Sequence, residues 1–106
     1  MSKYRLVIVT ASKLEEPEHI AHKIVEKSLA ACVNIVPKVR SIYKWKGKVQ
    51  HSRETLMIIK TVDSKVKKLK KEIKKLHSYD VPEILVLKIE DGDDDYLSWI
   101  DSVVKS

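Results

Sequence analysis

Phenylalanine is absent from the chain, glycine occurs twice and cysteine once. Each scarcity removes a class of function. Without Phe the core falls to Ile, Leu and Val, and the aromatic-rich signature of RNA-recognition sheets is missing. The two glycines, Gly47 and Gly92, both read as turn residues, so no glycine-rich loop exists to cradle a phosphate. A lone Cys32 cannot close an internal disulfide and has no Cys-x-x-Cys partner, which suits a reducing compartment. No run approaches the roughly 18 apolar residues of a membrane span, and Met1-Ser-Lys-Tyr-Arg leads straight into a strand pattern. Neither a membrane partner nor a secretory signal is therefore expected. Asn34 and Gln50 are the only side-chain amides while Lys and Glu abound, a balance compatible with a thermophilic source. No nucleophile, base and acid assemble into a set, so neither an enzyme nor an organic cofactor is expected.

Charge is what the chain has in excess. Lys and Arg number 21 against 15 Asp and Glu, a net charge of +6, which invites an anionic partner. Much of that excess lies between Lys65 and Lys75. There Val62, Val66, Leu69, Ile73 and Leu76 recur at helical spacing, so the lysines form the opposite, solvated face of a helix. That reading leaves no nucleic-acid partner.

The 106 residues make one domain, 1–106, with no linker or internal repeat. Leu6–Thr10 is an apolar run and reads as a central strand. Glu15, Glu16 and Pro17 open a first helix whose apolar stripe is Ile20, Ala21, Ile24 and Val25. Residues 29–50 then read as one over-long strand turning at Gly47 into a partner that includes Thr55–Thr61. Strands ordinarily run roughly 3–10 residues, so this hairpin must reach beyond its own sheet, with Pro37 breaking or bulging it. Asp63 or Ser64 is the expected cap of the lysine-rich helix, which ends near His77. Ile84–Ile89 is the fourth strand, and Asp93 caps a last helix carrying Tyr96, Leu97, Ile100, Val103 and Val104. The order β-α-β-β-α-β-α predicts an α+β, ferredoxin-like βαββαβ antiparallel sheet with an extra C-terminal helix. One sheet face is then left bare, and self-association is the economical way to cover it.

Several side chains invite chemistry. Cys32, between Ala31 and Val33, reads as a small core hydrophobe, because thiolate chemistry needs nearby cations or a metal. His19 and His22 lie three apart with Glu15 and Glu18 four residues before them, but opposite the apolar stripe, where such pairs are surface decoration. His51 has no companion. His77 ends a helix, where the dipole favours its protonated form, and Tyr79, Asp80 and Glu83 follow within six residues. Imidazole with carboxylate suits copper or zinc, and a general base with an orienting carboxylate looks the same. On residue chemistry alone a helix-capping histidine and a turn is the simpler account. Glu90–Asp95 lacks the carboxylate alternation of a calcium loop. Tyr43 and Trp45, one residue apart, share a strand face.

Five stretches together resemble the CutA family of divalent-cation-tolerance proteins. They are Leu29–Pro37, Ser41–Lys48, Ile59–Thr61, His77–Glu83 and Gly92–Trp99, in the family's order and spacing across essentially the whole chain. The resemblance implies a cytoplasmic homotrimer whose long hairpins join the sheets of neighbours, and a link to tolerance of copper and other divalent metals. It implies metal-binding roles for His77 and Cys32 and a pocket between subunits lined by Lys60, His77, Tyr79 and Glu83, with Tyr43 or Trp45 nearby. In that pocket His77 is expected to supply imidazole and Glu83 oxygen to a metal. The chain departs from the pattern at Val9, where some members carry a cysteine, and at Ser12 and Ser78, where the pattern has proline. An alternative is a PII-like sensor that takes a nucleotide or other small anion at subunit clefts, with Lys60 beside His77 as the anion contact.

Overall fold

The computed structural model describes residues 2–12 and 14–104. The elements are β1 (Tyr4–Ala11), α1 (Glu15–Glu26), β2 (Cys32–Trp45), β3 (Lys48–Val62), α2 (Asp63–Leu76), β4 (Ile84–Lys88) and α3 (Asp94–Val104). The strands form one sheet in the order β2-β3-β1-β4 with every neighbour antiparallel. This is the predicted ferredoxin-like arrangement with its added helix.

Strand alternation sorts the sheet into two faces. Val7 and Val9 of β1 and Met57 and Ile59 of β3 are fully buried against Ile20 and Ile24 of α1 and Leu69 and Ile73 of α2. Each such side chain stabilises the fold by about 1.5–3 kcal/mol. The alternate positions, among them Leu6, Ile8, Leu56, Ile58 and Lys60, form the second face. At one end α3 covers it, packing Ile100 and Val104 on Ala31 and Val62 beside Tyr4. Elsewhere that face is open, with Val36, Leu85 and Leu87 exposed.

Local chemistry explains the boundaries. Three acidic side chains, Glu15, Glu16 and Glu18, occupy the first turn of α1 and favour its positive end. The helix stops without glycine. Ser28 adopts φ 58°, the Leu29 amide donates to the Ile24 carbonyl and the Ser28 amide to Val25. This pair of bonds is the Schellman closure, here built on a serine. Val25 lies at the margin of the expected stripe and is exposed. At α2 the expected cap fails. Val62 occupies the cap position with no side-chain hydrogen bond, and Asp63 is the first helical residue, its carboxylate 3.4 Å from the Arg5 guanidinium. Asp93 does cap α3, its carboxylate accepting from the Tyr96 amide at 3.1 Å.

The hairpin is over-long as predicted, with strands of 14 and 15 residues. Its first strand begins at Cys32 rather than Leu29, because the Leu29 and Ala30 amides donate to the Ile24 carbonyl and close the end of α1. Lys46 and Gly47 at its tip both have positive φ, 52° and 78°, the geometry of the tight turn that matches strand twist. Pairing runs from Val36 opposite Leu56 to Val39 opposite Glu54, so Pro37 and Lys38 together face Thr55 alone. That is a β-bulge, located where proline removes a ladder donor. Lys38 takes up the irregularity with φ 63°.

Candidate functional site

The segment from His77 to Glu83 follows α2, is held out of helix by Pro82, and wraps the end of β1. His77 is the peg that fixes it. Its side chain is fully buried. Nε2 lies 2.8 Å from the Thr10 carbonyl, and Nδ1 accepts the Tyr79 amide at 3.0 Å. A carbonyl can only accept and an amide can only donate, so these partners select the neutral tautomer with its proton on Nε2. The protonated form expected at a helix end would leave the Tyr79 amide without an acceptor. The Glu16 carboxylate accepts the Ser78 amide at 2.7 Å and the Ser78 hydroxyl at 3.1 Å, tying the segment to α1.

Tyr79 carries the segment across to the hairpin. Its ring rests on His77 with centroids 4.7 Å apart, and its hydroxyl donates to the Glu54 carboxylate at 3.1 Å. Burial, then the bond to Glu54, holds the Tyr79 phenol above its ordinary range against the opposing bond to Ser12. Glu54 is itself buried, only 9% exposed.

Between the segment and the hairpin lies a cleft of about 670 Å³. Tyr43 and Trp45 of β2, Glu54 of β3, Thr10 of β1, and Tyr79, Asp80 and Glu83 of the segment line it. Among the described residues no Lys, Arg or His does so.

Four of the expected pocket residues, Tyr43, Trp45, Tyr79 and Glu83, are thus brought together. Lys60 is not with them in the subunit. It pairs across the ladder with Cys32 at the far end of the same face, where its ammonium bonds Asn34 and lies 3.9 Å from the Cys32 sulfur. The Tyr96 phenol of α3 also meets Cys32 there, raised above its ordinary range by burial first and by that thiol second. His77, Glu83 and Cys32 therefore do not converge in one subunit, and both ring nitrogens of His77 are already engaged. Among the described residues no three His, Cys, Asp or Glu side chains gather into a metal shell. His19, His22 and His51 are exposed and belong to none of this.

Sequence reasoning missed Glu54 and Glu16. The signal for Glu54 was present, because it alternates in phase with Leu56 and Ile58 and so stands where a charged residue is out of place. Glu16 gave none, since a first-turn glutamate is ordinary.

Comparison with known proteins gives a consistent answer. The family model described as "CutA1 divalent ion tolerance protein" matches residues 5–103. The chloroplastic CutA protein of Arabidopsis thaliana is 46% identical over 95 residues, covering 90% of this chain but only 52% of its own length. The chain thus spans about half of that relative. The divalent-cation tolerance protein CutA of Thermus thermophilus is 45% identical over 95 residues, covering 90% of this chain and 92% of the relative. A solved structure, titled as the periplasmic divalent cation tolerance protein CutA of Archaeoglobus fulgidus, superposes with a TM-score of 0.93 at 42% identity. It covers 96% of this chain and 99% of that one.

Proposed function

The chain belongs to the CutA1 divalent ion tolerance protein family, and on that premise we propose that it is a non-catalytic homotrimer subunit taking divalent cations in the cleft beside its long hairpin. One observation carries this reading. In a chain of net charge +6, the ionisable groups lining the cleft are the carboxyls of Glu54, Asp80 and Glu83 and the phenols of Tyr43 and Tyr79. A site of that sign attracts cations. Its donors are all oxygen, which suits hard divalent ions better than copper or zinc. A copper site on His77 would first have to break the bonds to Thr10 and Tyr79. Glu83 and Asp80 are the ligands we assign, with water or a neighbouring subunit completing the shell.

The trimer rests on the open face of the sheet, where Leu85 and Leu87 are 55% and 46% exposed. An apolar surface of that kind calls for a partner. Among the described residues no helix is long and apolar enough to cross a membrane, and the lone cysteine suits the cytoplasm as our choice of compartment. The anion-sensor alternative relies on Lys60 beside His77, and within one subunit Lys60 stands at the opposite end of the face.

Calorimetric titration of manganese and copper into wild type, the Asp80→Asn/Glu83→Gln pair and His77→Ala tests the site. Manganese affinity should fall at least tenfold in the carboxyl variant and hold in His77→Ala. Equal affinity in wild type and carboxyl variant removes the cleft as the cation site. Light scattering should give a mass three times 12.2 kDa.

A further inference from the structure

The cleft is larger and more aromatic than a metal ion requires. At about 670 Å³ it falls in the range of small-molecule pockets. Three rings, Tyr43, Trp45 and Tyr79, share its wall with three carboxyls, Glu54, Asp80 and Glu83. Trp45 and Tyr43 are 57% and 44% exposed, and although the Tyr43 hydroxyl accepts from Ser52 at 3.3 Å, much of both rings stays open to a ligand. A hydrated metal gains little from an indole face. An alkylammonium ion gains from both walls, because rings attract a weakly hydrated cation through their negative faces while carboxyls supply the counter-charge. Burial of its methyl or methylene groups adds a hydrophobic contribution.

We propose that this cleft binds small organic cations, alkylammonium ions held between the Tyr43, Trp45 and Tyr79 rings and the carboxyls of Glu54, Asp80 and Glu83. The binding shares its location with the divalent-cation reading but rests on the aromatic wall, so the two can fail separately. The bond from Tyr79 to Glu54 matters here, because it fixes one ring and one carboxyl in a single orientation before any ligand arrives. Preorganisation of that kind lowers the entropic cost of binding. The exposed position of Trp45 near a hairpin tip means that its truncation removes no core contact.

The assembled protein is titrated with tetramethylammonium and with putrescine at constant ionic strength, sodium chloride serving as the control. Binding is read by calorimetry and, in a Trp99→Phe background, by the fluorescence of Trp45. Both ligands should give saturable binding that sodium does not. Trp45→Ala should weaken tetramethylammonium at least tenfold while leaving the manganese affinity within twofold. The Asp80→Asn/Glu83→Gln pair should weaken putrescine, which carries two charges, more than tetramethylammonium, which carries one. Absence of saturable binding by either ammonium ion, or unchanged affinity in Trp45→Ala, overturns the proposal even if manganese binds. Saturable ammonium binding without manganese binding upholds it and removes the metal reading instead.

Discussion

Replacing His77 with alanine separates a structural peg from a metal ligand. The imidazole is fully buried and supplies one hydrogen bond to the Thr10 carbonyl and one to the Tyr79 amide. Thr10 is only 7% exposed, so its carbonyl would lose its partner with little water to replace it. A dry unsatisfied group costs about 1–3 kcal/mol. Tyr79 is half-buried and its amide can reach water, which limits that loss to about 1 kcal/mol. With the packing of the ring on Tyr79 also gone, His77→Ala should destabilise the fold by about 3 kcal/mol. For a domain of this size each kcal/mol moves Tm by about 4–8 °C, so a fall of more than 10 °C is expected at equal protein concentration. The assay is thermal and urea unfolding in excess chelator, so that no metal contributes to either protein. His77→Gln should recover part of the loss, since its amide can donate to Thr10 and its carbonyl can accept from Tyr79. If His77→Ala matches wild type under chelation, and chelation alone lowers wild type by the same amount, the histidine acts through a metal and the peg is refuted.

Ser28→Gly should stabilise the protein by up to about 1 kcal/mol, because a left-handed residue with a side chain costs about 1–2 kcal/mol while glycine costs about 0.5–1 in chain entropy. Urea unfolding reads it. Gly47→Ala should cost about 1 kcal/mol by the same measurement, through strain alone, since its φ is +78° but no atom lies within 4 Å of an added Cβ. Tyr79→Phe should change the alkaline limb of stability. The unfolded phenol releases its proton near 10.0 while the folded one holds it to higher pH. Its contribution is therefore complete below about pH 10 and lost as pH rises through the folded value. Unfolding free energy between pH 9 and 11 should fall more steeply in wild type than in Tyr79→Phe, and parallel slopes would contradict this.

The parts legible in the sequence were those governed by local rules. Apolar periodicity located the helices and strands, and the over-long hairpin was legible although β2 begins at Cys32 rather than Leu29. A break or bulge at Pro37 followed from the chemistry of proline, and the Asp93 cap followed from residue type. The end of α1 was less legible, because the closing position that favours glycine is Ser28. The cap of α2 was misread because two good capping residues, Asp63 and Ser64, stand one and two steps too late, and β3 runs directly into the helix. The site was half legible. His77 was singled out, but its use depends on Thr10, 67 residues away, and no local pattern announces that contact. Lys60 was placed in the pocket by the family resemblance, which sets that pocket between subunits. Alternation gives Lys60 its face, but its depth along the sheet comes from the register opposite Cys32, and a single sequence leaves register open.

The bulge also explains how a cleft of this composition exists at all. Near its base β2 is phased by burial. Val33 and Ile35 turn toward the helices, which puts Cys32, Asn34 and Val36 on the open face. At its tip β2 is phased by the tight turn, which pairs Tyr43 with Gln50 and Trp45 with Lys48. Gln50 and Lys48 alternate in step with Glu54, so Tyr43 and Trp45 share the face of that carboxyl. Even-numbered residues occupy the open face before the bulge, and odd-numbered ones after it. A regular strand could not satisfy both demands, since a slip of one residue turns every side chain to the other face. Pro37 and Lys38 absorb the extra residue opposite Thr55. Without that change of phase, a strand that buries Val33 and Ile35 would carry its two aromatic rings on the helix side, away from Glu54. The irregularity the proline introduces is what brings rings and carboxyls to one wall.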